Sequence, residues 1–280
     1  MASYGAVIIS RNDNYGGNLV ERASYCLNSC IITFDEIFYI DWNSPEKCLI
    51  EEIEPNLLKT GKLKWIQVTP EEHKLFTNND ESVQVCCEVL GRNIGVRRLS
   101  TDFIVSTNID EISPPRPQLE TLTSKTTFYT IARHGIQDMN ILRGAGNYQE
   151  IDKIRGILLG MGLPQAWPVK MSLEDDWSLV GWCGDFQVAH RNVWYKIRGF
   201  EEVMLGRGLA DTFIQRKAKE EGFELKLVYD VPIWHMDHGA GSGGIGRNNN
   251  PETWIYKDYK GTTNSEDWGK PNYPFEVHTL

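Results

Sequence analysis

Residues 103–113 read FIVSTNIDEIS. An apolar, β-branched run with the composition of a buried strand stops at Asn108-Ile109-Asp110-Glu111. Pro114 and Pro115 follow directly and argue against the strand continuing in the interior of a sheet. Asn108 and Asp110 stand two apart, so at a strand end their side chains leave by the same face and can meet at one point. Hard oxygen donors in that position suit Mg2+ or Mn2+, and such an ion can bridge a diphosphate. An Asx-type turn that closes the strand uses the same residues. The local pattern leaves both readings open.

Working outward, the same figure recurs. GAVIIS (5–10) is an apolar run that ends in the polar turn RNDNYGGN, and EIFYID (36–41) ends in an acid. KLKWIQV (62–68) and DFIVST (102–107) complete four strands. Between them, Leu19, Ala23, Cys26 and Leu27 recur at helical spacing, and Val83, Cys86, Cys87, Leu90 and Ile94 form a second stripe within 81–98. Ser44-Pro45-Glu46 carries a cap and a first-turn proline, which predicts a further helix. Strand and helix in alternation define an α/β layer with a mostly parallel central sheet flanked by helices, and ligands of such sheets bind beyond the carboxyl ends of the strands. Four exits are therefore expected to converge: Ser10-Arg11-Asn12-Asp13, Asp41-Trp42-Asn43, the loop after Val68, and Asn108-Ile109-Asp110.

Composition narrows the partners. A net charge of −9 argues against nucleic acid, whose phosphates select basic surfaces. No apolar run reaches the length of a spanning helix. MASYGAVIIS has no basic leader region, and six irregularly spaced cysteines do not form a disulfide framework. Reduced thiols and a cytoplasmic location are the expectation.

The second half predicts a strand at 126–132, a helix at 152–162, an amphipathic helix at 209–223 and a strand that runs into His235-x-Asp237-His238. A histidine there could join Asp110 on a metal, or the pair could simply pack. Asp211 opens the amphipathic helix behind Gly206-Arg207-Gly208, where it serves either as a helix-start acid or as a general base facing the crevice. Asp185 sits in a tryptophan-lined segment, and Trp182 and Trp194 offer faces for sugar rings or bulk for the core. No Walker loop, serine-hydrolase elbow or dinucleotide fingerprint appears.

The blocks VIISRNDNYGGNL, EIFYIDWNSP, GRNIGVRRLSTDFIVSTNIDEI, CGDFQVAHRNVWYKIRGF, LADTFIQRKAKEEG and IWHMDHGAGSGG, taken in order over residues 4 to 245, resemble nucleotide-sugar glycosyltransferases of the GT-A fold. The likeness is to the large inverting class, and to a subgroup of glycosyltransferase-like proteins of bacteria and large DNA viruses. It implies one GT-A domain over 1–280: a nucleotide-sugar-binding half (1–112), an acceptor and catalytic half (113–240), and a flexible loop with a C-terminal tail (241–280). It further implies a UDP-sugar donor and a glycan or glycoconjugate acceptor. Ser10, Arg11, Asp13 and Asp41 fall where such enzymes hold uracil and ribose, with Arg92 and Asn93 beside them. Asn108-Ile109-Asp110 stands at the family's metal and diphosphate motif, with asparagine in place of its first acid. His235 resembles the histidine that joins the metal shell, and Arg247 falls in a glycine-rich lid. Asp211 takes the place of the catalytic base, with Asp185 second, while Ala210 replaces the acid that usually precedes the base. A nucleotidyltransferase, and a non-catalytic carbohydrate-binding protein on the same fold, are the alternatives.

Overall fold

The structure is a computed structural model that describes residues 1–53, 60–80, 83, 85–146, 148–163, 165–166, 184–203, 210–238 and 264–280. Its strands are β1 (Tyr4–Ser10), β2 (Glu36–Trp42), β3 (Leu63–Val68), β4 (Phe103–Asn108), β5 (Glu111–Ile112), β6 (Thr127–Ile136), β7 (Gln165–Ala166), β8 (Phe186–His190), β9 (Glu224–Met236) and β10 (His278–Thr279). The helices that matter for the site are α1 (Leu19–Thr33), α2 (Glu88–Arg98), α3 (Ile151–Gly160), α4 (Arg191–Lys196) and α5 (Ala210–Glu220).

All ten strands join one sheet in the order β10-β3-β2-β1-β4-β8-β6-β9-β5, with β7 paired to β6. β3, β2, β1 and β4 run parallel, as do β6 and β9. β8 is antiparallel to both β4 and β6, so the sheet is mixed where the second half joins the first. Every residue of β1 and β2 is buried, the mark of strands covered on both faces. Alternation sorts them: Ala6 and Ile8 face a core closed by α1 and α3, while Val7 and Ile9 face a core closed by α2, α4 and α5. Gly91 and Gly95 let α2 lie close on the sheet, because a Cβ at either would overlap the Ile9 or Val7 side chain.

Burial of α1 extends well beyond its apolar stripe, to Arg22, Ser24, Asn28, Ser29 and Thr33. The polar members are satisfied locally or by neighbours. The Ser24 hydroxyl donates to Val20 O, the Asn28 amide to Ser24 O, and the Thr33 hydroxyl to Pro114 O. Arg155 of α3 reaches in to Ser113 O, Ser29 O and Thr33 Oγ1.

Two expectations of the sequence are corrected. No α-helix opens at Ser44-Pro45-Glu46; among the described residues up to 53 the segment makes only a 3-10 turn at Leu49–Glu51. The Ser44 hydroxyl is engaged by the Asn12 N–H at 2.8 Å, and Asp41 Oδ2 accepts the Leu49 N–H at 2.9 Å, so the segment is tied back to the sheet before a helix can start. Among the described residues the stripe within 81–98 is helical only from Glu88. Trp194 is core: it is fully buried and its indole N–H donates to Ile104 O. Trp268 of the C-terminal segment is buried too, under the Arg97 guanidinium.

Candidate active site

At the carboxyl ends of β1 and β4 lies a cavity of about 390 Å3, within the size range of small-molecule sites. Ser10, Arg11, Asp13, Arg92, Asn108, Asp110, Asp185 and His235 all line it, together with Arg133 and His238. Two of the four predicted exits thus form its wall directly. The other two stand behind it as supports. Arg11 Nε donates to Asn43 O, and the Asn43 N–H donates to Val68 O. Asp41 is fully buried and accepts the Tyr39 hydroxyl, which in turn meets Ser10 Oγ at 2.7 Å. Asn93, next to Arg92 on the helix, points away: its amide bonds Phe200 O and the Glu202 carboxylate. Arg247, the lid at 239–247, Trp182 and Gly206-Arg207-Gly208 lie outside the described residues.

Asp110 is the hub. Its Oδ2 accepts Arg22 at 3.2 Å and His238 Nε2 at 2.9 Å, with His235 Nε2 at 3.7 Å. Burial alone would push its carboxyl up; the His238 hydrogen bond and the charges of His235, His238 and Arg22 outweigh it and hold the group below the usual carboxylate range. Strand pairing places the histidine: β5 runs antiparallel to β9 with Glu111 opposite His235, which brings β9 alongside Asp110. His235 Nδ1 meets Asp237 Oδ1 at 2.6 Å, leaving Nε2 turned toward Asp110. A carboxylate behind a histidine is the usual outer partner of a metal ligand.

Asp110, His235 and His238 offer donor atoms that all lie within 4.8 Å of one another, and they form the metal-competent cluster among the described residues. Asp110 Oδ1 is buried and has no hydrogen-bond partner. A lone carboxylate oxygen beside two imidazoles fits a divalent ion.

A second chain of contacts crosses the cavity wall. Arg92 donates to Asn108 Oδ1, Asn108 Nδ2 donates to Asp185 Oδ1 at 2.7 Å, and Arg133 donates to Asp185 Oδ2. Burial raises the Asp185 carboxyl, and Arg133 and His235 offset only part of that. Asp211 stands directly behind: residue 184 must be glycine, because a Cβ there would overlap the Asp211 side chain. Asp211 is raised by burial and then by the Asp185 charge, and its Oδ1 accepts the Thr212 N–H. It is not among the residues that line the cavity.

Four residues of the site went unread or half-read in the sequence. Arg22 falls on the same face of α1 as Leu19, Ala23 and Cys26, and a charge on an apolar stripe is the signal that could have found it. Arg133 follows the apolar run at the start of β6, and His238 lies three past His235. Glu111 is fully buried with neither carboxylate oxygen hydrogen-bonded; burial, then the charges of Asp185 and Asp110, push its carboxyl well above the usual range. Nothing in its sequence context marks it out.

No family model and no curated protein matches this chain. Solved structures do. The fold is the GT-A fold of nucleotide-sugar glycosyltransferases. One structure that shares it is S. aureus TarS 1-349, at a TM-score of 0.51 and 12% identity, over 84% of this chain and 60% of that one. Another is GalNAc-T7, solved with UDP, GalNAc and Mn2+, at 0.56 and 14% identity, over 85% of this chain and 44% of that one. The chain therefore spans less than two thirds of either solved chain.

Proposed function

We propose that this chain is a metal-dependent glycosyltransferase that moves a sugar from a UDP-sugar of glucose, galactose or xylose type to a hydroxyl of a glycan acceptor, with inversion. The observation that carries it is the meeting of Asp110, His235 and His238 with Arg92 and Arg133 at the carboxyl ends of β1 and β4. Oxygen and imidazole donors flanked by guanidinium groups suit a cation-bound diphosphate. GalNAc-T7, which shares the fold, holds UDP and Mn2+, and this supports the same ligands here.

In this reading Asp110, His235 and His238 would hold Mn2+ or Mg2+, which would supply counter-charge to a diphosphate. Ser10, Arg11 and Asp13 face the nucleoside, with Asp41 fixing Ser10 through Tyr39. Arg92 faces the diphosphate. The acceptor oxygen attacks the anomeric carbon from the side opposite UDP, the carbon–oxygen bond to the β-phosphate breaks with its electron pair leaving on UDP, and the acceptor proton passes to Asp211. Two environments separate the carboxylates: Asp185 is committed to Arg133 and Asn108, whereas Asp211 carries no salt bridge among the described residues; burial raises both. A carboxylate without a guanidinium partner is the freer of the two to take a proton. Buried free thiols at Cys26, Cys30, Cys48 and Cys87 suit the reducing cytoplasm in which we place the protein, the host's if it is viral.

The rival reading is a sugar-binding protein without turnover, favoured by Asn108 and Ala210 at positions acidic in the resembled enzymes. Incubating the protein with UDP-glucose, UDP-galactose and UDP-xylose, with Mn2+ or with chelator, separates the two. Slow release of UDP from one donor, dependent on Mn2+, is the expected result. Binding without release from any donor would favour the rival.

A further inference from the structure

Asn108 stands where an acid would serve the metal, yet both ends of its amide are already engaged. Residues 108 and 185 are cross-strand neighbours: β4 and β8 pair antiparallel with Thr107 opposite Phe186, and the Asn108 N–H donates to Asp185 O at 3.2 Å. Side chains so placed interact directly, and like charges there repel. The amide accepts at its oxygen and donates at its nitrogen, and each end meets its complement: the oxygen takes the Arg92 guanidinium, and the nitrogen gives to Asp185 Oδ1 at 2.7 Å. Asp185 is closed on its far side by Arg133 of β6. Arg92 is itself fixed by Ser106 Oγ at 2.6 Å. The result is a four-residue chain, Arg92–Asn108–Asp185–Arg133, that runs from α2 through the end of β4 and the residue before β8 to β6 along the cavity wall.

We propose that Asn108 is a positioning residue rather than a metal ligand: its amide joins Arg92 to Asp185 and sets both side chains at the cavity wall. An aspartate at 108 could still accept from Arg92. Toward Asp185, however, it would set two acceptors against each other with no proton between them. The same reasoning explains how the site does without the first acid, because His238 stands beside Asp110 as a further donor. An asparagine at this position is therefore no sign of a decayed site. The inference about the metal rests on Asp110 being its carboxylate; the inference about the link between 108 and 185 does not.

Two measurements on the purified chain test it. The first is a double-mutant cycle read by thermal melting of metal-free protein at pH 8, using N108D, D185N and N108D/D185N. The double variant restores an amide and a carboxylate in exchanged positions, the introduced carboxylate accepting from Arg92 and from the new amide. N108D is expected to lower the melting temperature by about 4 °C or more, and the double variant to recover at least half of that loss. Should N108D fail to fold, a folded double variant is the same result in stronger form. Strictly additive losses would overturn the link. The second is calorimetry with Mn2+ alone on N108A, which removes the amide and adds no charge. Affinity within about threefold of wild type is expected, and a loss of tenfold or more would make Asn108 a ligand and overturn the assignment. Because the melting cycle needs neither metal nor donor, the link stands or falls there even if the chain transfers no sugar.

Discussion

Asp211→Asn is expected to bind UDP and Mn2+ with affinities within about threefold of wild type and to lose about 10^2–10^4-fold in turnover, the range that one general base supplies. The side chain sits behind the cavity wall against Gly184 and contributes to none of the metal donors, so binding has no reason to change. What the substitution removes is a carboxylate beside Asp185 that, among the described residues, forms no salt bridge with an arginine. The pH dependence follows from the same environment. Burial and the Asp185 charge raise the Asp211 carboxyl above the usual range, and a base must be unprotonated to act. The acid limb of wild-type kcat/KM should therefore fall at a pH above the ordinary carboxylate range. Wild-type-like turnover in Asp211→Asn would remove the residue from the mechanism, and Asp185 would inherit the place.

Asp110→Asn should weaken Mn2+ binding by more than about a hundredfold, beyond the 10–100-fold that loss of an outer-shell partner costs. The asparagine variant is preferred to alanine for a physical reason. Arg22 is 1% exposed, and its cation bonds Asp110 Oδ2 as well as the Tyr15 and Gly17 carbonyls. Alanine would strand that buried cation and confuse loss of fold with loss of metal. Asparagine keeps an oxygen for Arg22 but gives up the negative charge. A melting temperature near that of wild type, together with lost Mn2+ binding, is the expected pair of results. Retained Mn2+ affinity would place the metal elsewhere.

The parallel half of the sheet was legible because each strand is an apolar run closed by a polar exit, and burial on both faces makes such runs conspicuous. The misread helix at residue 44 shows the limit of local signals. Ser44 looks like a cap, but its hydroxyl is held by Asn12, 32 positions earlier in the chain, a tertiary contact that no capping rule anticipates. The metal donors were half legible. Asp110 is marked by its strand end, but its meeting with His238, 128 positions away, depends on β5 and β9 pairing antiparallel, and β5 is only two residues long. Asp185 was visible singly and Arg133 went unread, since only the order β4-β8-β6 sets them side by side. Asn108 was read with Asp110 as an oxygen donor to a metal because spacing reports residue type and direction; it does not report that both ends of an amide are already bonded.

The central claim is that a cation at Asp110, His235 and His238 and the arginines of the wall hold a pyrophosphate together. Calorimetric titration of the wild-type chain with UDP, in Mn2+ and in chelator, tests it most directly. Tightening by Mn2+ of at least tenfold, about 1.4 kcal/mol, is the predicted result. Equal affinity in the two conditions, or no binding in either, would contradict it.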